Sequence, residues 1–434
     1  MDSEDPQTSR SVDENSDSKS EAAQESHAAS PVSHKPSFRC RQTSYQNTDE
    51  RANSVRFEFL AEGAANAVFR LVPYSSQGGE ETFVFEDRRG KIVEKAKLAE
   101  KVIRMSKGKP KTLKYKEIME GFETVVKPLF RKTEPSQKGA SGPSTAIKLS
   151  INESLEKFIM NHEGVAITPE AIKALLAEMH THCPENRHIE SHHLEQRGIL
   201  LPDMSSVPGS VITIEIKPKW LLQSPNAPRD AYLCRTCALQ ASRQSKKTAK
   251  GTWICPLALV AGEKAAIEPY IRYRSLCKMM EKPGHHVLHQ PSREELEAFN
   301  QHLEDEVEAI VQRAVPYLTT GPGHKILQHI RYLQGQLDPT GVLCCPSSSK
   351  QEDRLRLAMT LRDCSLFIRI PWADPNAPIE AKLGDLDFKS RGKKHDWSMK
   401  EEGLLHGGWY VDLESGMDEC WIAQGWKNHA PHYF

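Results

Sequence analysis

The segment 211-VITIEIKPKW-220 decides how this chain is read. In an extended strand, side chains alternate between two faces, which puts Ile212, Ile214 and Ile216 on one side and Thr213, Glu215, Lys217 and Lys219 on the other. One face packs and the other carries charge. Two ammonium groups about 6–7 Å apart on one strand repel each other, and a fold tolerates this most readily when an anion lies between them. Pro218 offers no N–H to a ladder and holds Lys217 extended, so the strand is expected to leave its sheet here, at a cleft. A solvated edge strand guarded by lysines has the same pattern, and the segment alone leaves both readings open.

Composition narrows the setting. The chain has 434 residues, enough for two or three domains, and its 58 basic and 58 acidic residues balance. No global field therefore points to nucleic acid or to an anionic membrane, and no direct nucleic-acid partner is expected. The longest apolar run, Trp253–Ala261, is far short of the roughly 18–20 residues of a membrane span. The opening MDSEDPQTSR lacks the charged and apolar regions of a signal peptide, so an intracellular protein is expected, in nucleus or cytoplasm. Ten irregularly spread cysteines argue for reduced thiols and at most one metal site, not a disulfide scaffold.

Residues 1–52 are rich in Ser, Asp, Glu, Gln and Asn and are expected to form a disordered tail, because so little apolar surface cannot offset the ordering entropy. Val55, Phe57 and Phe59 then alternate as a strand, Glu62, Gly63, Ala64 and Ala65 make a tight turn, and Ala67–Leu71 resumes β character. Backbone amides at such a tip can approach phosphates, although an ordinary hairpin looks the same. Further strands are expected at Thr82–Glu86 and Lys101–Met105, followed by a basic run from Lys107 to Lys111. Phe122–Phe130 and Leu149–Ile159 read as helical or partly buried, around a loop at Pro135–Pro143. Thr168 and Pro169 start a helix whose stripe is Ile172, Leu175, Leu176 and Met179, and His182, His188, His192 and His193 have no ligand spacing.

Beyond the central strand, Asp230 is placed as the cap of a helix running to about Ser245. Cys234, Cys237 and Cys255 either begin a zinc site or line a packed helix face. A capping box at Ser292 and Glu295 opens a helix carrying Leu296, Phe299, Leu303, Val307, Ile310, Val311 and Ala314, and another helix is expected at His324–Leu333. Asp363 interrupts the apolar stretch Leu355–Ile370, so its carboxylate needs a partner or a ligand. In 382-KLGDLDFK-389, read as a strand, Asp385, Asp387 and Lys389 share a face; two such carboxylates can reach one magnesium while the lysine reaches a phosphate.

In this order, EGxxN at Glu62–Asn66, KVIR at Lys101–Arg104, EIKPK at Glu215–Lys219, AMTxRDCS at Ala358–Ser365 and DLDxK at Asp385–Lys389 resemble the inositol-pentakisphosphate 2-kinases over about residues 57–400. The resemblance is to a fungal-like member of these inositol polyphosphate kinases. It implies an α/β (α+β) fold of two lobes, distantly like protein kinases, with residues 53–205 as the nucleotide-binding lobe, residues 206–434 as the inositol phosphate lobe, and an ATP cleft between them. The implied reaction moves the γ-phosphoryl group of ATP, with magnesium, to the axial 2-hydroxyl of inositol 1,3,4,5,6-pentakisphosphate to give phytate.

Carried over by residue, Glu62, Gly63, Ala64, Ala65 and Asn66 lie over the ATP phosphates and Arg104 contacts them. Pro202, Asp203 and Met204 form the hinge beside adenine, and Glu215 supports the nucleotide. Asp363 is the general base, and Lys217 lies near the transferred group. Asp385 holds magnesium. Lys109, Arg187, Lys217, Lys219, Arg243, Lys389 and Lys393 bind the substrate phosphates. Zinc at Cys234, Cys237 and Cys255 stays open, and a monomer is expected. The chain departs from the family pattern at the hairpin tip, where Ala64 and Ala65 stand and many relatives have more glycine, at Ser390, where a proline is usual, and over the segment Arg391–Trp397, which diverges. The alternatives are a non-catalytic inositol-polyphosphate sensor, which would not need Asp363 and Asp385, and a protein kinase, for which HRD, DFG, APE and GxGxxG are missing.

Overall fold

Alternating apolar residues close the first half of the chain into a barrel. The computed structural model describes residues 35–44, 46–74, 81–109, 112–132, 154–243, 253–280, 303–345, 348–412, 417 and 419–425. Its mixed α/β architecture starts with β1 (Phe38–Gln42), β2 (Val55–Glu62), β3 (Asn66–Pro73), β4 (Phe83–Asp87), β5 (Lys101–Ser106), β6 (Glu163–Ile167) and β7 (Arg197–Pro202). These close in the order β1-β4-β2-β3-β5-β7-β6, with β6 returning beside β1 in parallel. Phe57, Phe59, Phe69, Leu71, Phe85, Ile103 and Val165 share one core, which also takes in the expected stripe of α4 (Pro169–His182). Helices α1 (Thr48–Ala52), α2 (Lys95–Ala99) and α3 (Tyr115–Gly121) fall between the strands.

Part of the stretch expected to be disordered is ordered, while its residues 1–34 lie outside the described residues. Within the stretch expected to be a disordered tail, Phe38–Gln42 form a barrel strand with Cys40 fully buried. Arg41 bridges Glu50 of α1 at 2.8 Å and Glu86 of β4 at 2.7 Å, so a polar segment is ordered by ladder bonds and charge pairs more than by apolar area.

The second half is built on an antiparallel sheet of β8 (Ile212–Ile216), β9 (Ser365–Ile370) and β10 (Glu380–Gly384), in the order β10-β9-β8. Ile212, Ile214 and Ile216 are almost fully buried with Leu366, Ile368, Ile370 and Leu383. Around them lie α5 (Arg235–Arg243), α6 (Pro256–Ala261), α7 (Lys264–Met280), α8 (Glu304–Thr319), α9 (Pro322–Leu337), α10 (Ser349–Asp363) and α11 (Lys394–His406). The expected stripe Val307, Ile310, Val311 and Ala314 is buried in α8, while the capping box at 292 and the loop at 135–143 lie outside the described residues. Asp230 does not open a helix: α5 starts at Arg235, where the Cys234 sulfur accepts the Cys237 amide at 3.4 Å. Residues 122–130 are helical as expected, in a π turn followed by a 3-10 turn.

Barrel and sheet meet through a small apolar layer. Val102, Ile199 and Leu201 pack with Tyr115, Ile118 and Met119 of α3 and with Met160 and Met204, against Phe367 of β9. Gly164 lets the Tyr115 ring lie against β6, since a Cβ there would sit 1.7 Å from the phenolic oxygen. The Met160 amide donates to the Leu383 carbonyl at 3.2 Å, tying this layer to β10. Among the described residues, no helix is long and apolar enough to cross a membrane.

Candidate active site

The antiparallel register pairs Ile216 with Leu366 and Gly384 with Ser365, so β8 and β10 end beside the start of β9. Three segments far apart in sequence, 217–219, 363–365 and 385–389, therefore share one end of the sheet. Among the described residues β8 is an edge strand paired only with β9, and the chain beyond it carries Lys217 and Lys219 to this end of the sheet. The strand stops at Ile216, just before Lys217 and Pro218, as the proline implied.

Lys217 Nζ lies 2.6 Å from Ser365 Oγ, 3.1 Å from Glu215 and 3.8 Å from Asp385, and the Ser365 hydroxyl donates to Glu215 at 2.6 Å. Asp363 accepts from Lys219 at 3.2 Å and from Lys389 at 2.7 Å through its two oxygens. Lys219 and Asp385 both have φ of +56°, an unfavourable region for side chains other than glycine. The stretch 382–389 is not one strand: β10 ends at Gly384, because β9 starts at Ser365 and offers no further partner. The two aspartates then separate in role. Asp385 is half exposed, whereas Asp387 is held by the Arg104 guanidinium at 3.0 and 3.2 Å, which joins β5 of the barrel to this end of the sheet.

Electrostatics in the cluster follow from these pairs. Burial alone would raise the Asp363 carboxyl, but Lys389 and Lys219 overcome it and hold the group below the ordinary carboxylate range. Glu215 is lowered against its burial by Lys217 and Ser365, and Asp387 by Arg104. Burial pulls Lys217 and Lys389 down, yet Glu215 and Asp385 raise the first, and Asp363 and Asp385 raise the second. His162, buried beside Phe122, is driven down to about 3 by burial and then by Arg104, so it stays neutral behind the Arg104–Asp387 pair.

On the barrel side the expected hairpin is present, with Gly63 and Ala64 exposed at its tip and open space around Gly63. Glu62 turns inward, accepting from Lys107 at 2.8 Å and Asn186 at 2.5 Å, while the Ala65 carbonyl accepts the Lys107 amide. Asn66 opens β3 and its carbonyl accepts the Gly63 amide. Pro202 ends β7, the Asp203 carboxylate caps the Ser205 amide at 2.8 Å, and Met204 is buried. Lys109, Arg187 and Arg243 are exposed, and the ion pairs that knit the cluster do not extend to them; Lys393 faces Asp396 at 3.6 Å. His188 and His192 engage Glu185 and Glu190, and neither they nor His182 joins a metal-competent group among the described residues.

A family described as inositol-pentakisphosphate 2-kinase matches residues 59–403, most of the chain. The chain belongs to the inositol-pentakisphosphate 2-kinase family. It is 31% identical over 199 residues to an inositol-pentakisphosphate 2-kinase of Yarrowia lipolytica, a match covering 46% of this chain and 53% of that protein. The chain thus spans about half the length of the curated relative it matches.

This inositol-pentakisphosphate 2-kinase family member also carries a second cluster, away from the charged one. Cys234, Cys237 and Cys255 meet Cys420, all four buried, with their sulfurs within 4.8 Å of one another. Ala238 and Ala241 pack beside the thiols, as the helix-face reading expects, and the four sulfurs are close enough together to hold a metal ion. Cys420 lies so far along the chain that no spacing signal could have joined it to the other three. Ser365 was within reach of sequence reasoning, standing in the RDCS motif with a hydroxyl at the start of a strand.

Proposed function

We propose that the protein transfers the γ-phosphoryl group of ATP to the 2-hydroxyl of inositol 1,3,4,5,6-pentakisphosphate, forming phytate in a cleft between two kinase-like lobes. The nucleotide lobe would run from about 53 to 205 with β1 added, and the inositol phosphate lobe from about 206 to 434. The observation that carries this reading is the convergence of Lys217, Lys219, Lys389, Asp363 and Asp385 at one sheet end in a chain of this family.

In the proposed step the 2-hydroxyl oxygen attacks the γ-phosphorus, its proton passes to Asp363, and the bond to the β–γ bridging oxygen breaks to release ADP. Such a reaction needs chiefly positioning and neutralisation of charge. Asp385 suits magnesium, because that ion keeps most of its waters and takes one or two carboxylates besides phosphate oxygens; bound there, it would neutralise charge on the transferred group. Gly63, Ala64 and Ala65 offer backbone at the nucleotide phosphates, with Pro202, Asp203 and Met204 beside the base. Lys219 and Lys389 would exchange their Asp363 partner for substrate phosphate, freeing the carboxylate as it is needed. Lys109, Arg187, Arg243 and Lys393 are the outer cations for the remaining phosphates.

The test is chromatography of the product made from inositol pentakisphosphate, ATP and magnesium, with inositol hexakisphosphate expected. Tight inositol phosphate binding without turnover would instead favour a sensor.

We further propose zinc in the thiol cluster. A tetrahedral site with Zn–S near ~2.3 Å places sulfurs about 3.8 Å apart, and Cys234 and Cys255 sulfurs are 3.8 Å apart. Elemental analysis of the purified chain should give about one zinc per molecule, and Cys420→Ser should lose it. Metal-free, fully folded wild-type protein would refute the site.

A further inference from the structure

We infer that Gln334 is a positioning residue for the proposed reaction: it fastens the strap carrying Lys219 to the end of α10 that carries Asp363. Gln334 lies on α9 with no exposed surface. Its Oε1 accepts the Leu221 amide at 2.9 Å, and its Nε2 donates to the carbonyls of Lys219 at 2.8 Å and Leu361 at 3.4 Å. One side chain therefore grips the strap on both sides of Trp220 and the last turn before Asp363.

A second contact joins the same two segments. Trp220 is nearly fully buried, with the Arg362 guanidinium 3.5 Å from its ring and Arg235 4.7 Å from it. Arg362 is in turn held by Asp338 at 2.6 Å. The chain neighbours of Lys219 and Asp363 thus stack on each other in the interior, while Lys219 and Asp363 meet at the surface at 3.2 Å. The left-handed φ of Lys219 shows why a grip is needed: such a conformation persists when the surroundings fix it from several sides. Gln334 fixes the Lys219 carbonyl. The Gln334 hydrogen bonds go to backbone groups and the Trp220 ring stacks on arginines, not on the ammonium or carboxylate groups of the cluster, so their effect passes through backbone placement.

The inference rests on the kinase reading, and its test separates the two. In the full-length chain, Gln334→Leu keeps bulk but removes the three hydrogen bonds. It should lower kcat/KM for inositol pentakisphosphate by about tenfold or more, leave KM for ATP within about twofold, and have little further effect in a Lys219→Ala background. A merely structural role would give equal losses in both backgrounds, and that additivity, or wild-type kinetics in folded Gln334→Leu, overturns the inference. Should Gln334→Leu fail to fold, Trp220→Phe, which keeps an aromatic ring, goes through the same cycle with the same criterion. If the wild type shows no turnover, the kinase reading falls. The cycle is then read on the calorimetric dissociation constant for inositol pentakisphosphate, where coupling to Lys219 supports Gln334 and additivity rejects it.

Discussion

Two sets of ion pairs sit on either side of the 219–221 strap, and they differ in one physical respect. In the outer set, Lys217, Asp385 and Asp363 keep 41%, 43% and 50% of their side-chain surface exposed, and Lys219 and Lys389 keep 35% and 21%. In the inner set, Arg362 and Asp338 keep 4% and 3%, and Arg235 and Glu401 keep 7% and none. Exposed pairs contribute little to stability because water screens them, so exchanging a carboxylate for a phosphate costs little there. Buried pairs cannot be exchanged, since either charge left alone would be stranded away from water. The outer set therefore suits ligand exchange and the inner set suits fixing a shape. Glu401 makes this plain, accepting from Ser224, Arg235 and Tyr410 at 2.6, 3.0 and 2.6 Å with no exposed surface.

The largest effect should come from the outer set and fall on chemistry. Asp363→Ala is expected to reduce turnover by about 10²–10⁴-fold, the usual worth of a positioned base, while inositol pentakisphosphate affinity stays within a few-fold. Single-turnover assays with calorimetry check this, and near-normal turnover would remove Asp363 as the base. The inner set should behave oppositely. Glu401→Gln leaves the Arg235 guanidinium buried without its counter-charge and should cost about 3–5 kcal/mol in denaturant unfolding, with little change in kcat of the folded fraction. Lys217→Gln should cost under about 1 kcal/mol. Equal stability losses in Glu401→Gln and Lys217→Gln would erase the distinction between the sets.

A smaller effect concerns pH. As the proposed base Asp363 would act deprotonated, and its two lysines depress its pKa, so without substrate its acid limb should lie below the ordinary carboxylate range. Its contribution to stability likewise is present above the unfolded carboxylate pKa and is lost as pH falls through the depressed value. Lys389→Met removes the nearer cation, so the acid limb of kcat/KM should move to higher pH than in the wild type. Profiles on one substrate cancel the titration of its phosphates, and an unmoved limb would mean that Lys389 does not set the Asp363 charge.

How much of this could be read in advance depends on how local the cause is. The hairpin through Glu62–Asn66, the helix at Pro169–His182 and the strand Ile212–Ile216 are legible because period and turn chemistry lie within a few residues. Strand β1 was hidden because its order depends on partners at 83–87 and 163–167, and on Arg41 finding Glu50 and Glu86. The motif residues of the site were legible as chemistry, but not their pairing: Arg104 and Asp387 both look ligand-facing in sequence, and they consume each other. Cys420 and Gln334 gave no signal, since each acts only through segments far away in the chain.

The smallest expected effect tests why the outer set holds its shape at all. Lys219 keeps a left-handed backbone, so its Cβ is strained against its own carbonyl. Comparing Lys219 directly with a truncated variant would mix that strain with loss of the Asp363 pair. Lys219→Ala and Lys219→Gly both lose the ammonium, and they differ only in the Cβ and in the freedom of the unfolded chain. At an ordinary position alanine is the more stable by roughly 0.5–1 kcal/mol, because glycine loses more entropy on folding. At φ near +56° the order should reverse, with Lys219→Gly more stable than Lys219→Ala by up to about 1 kcal/mol. Urea midpoints at equal slope measure the difference. If alanine is the more stable, the strap is not strained at Lys219 and the grip by Gln334 has nothing to oppose; if glycine is, the inner set is holding the outer one in a conformation it would otherwise leave.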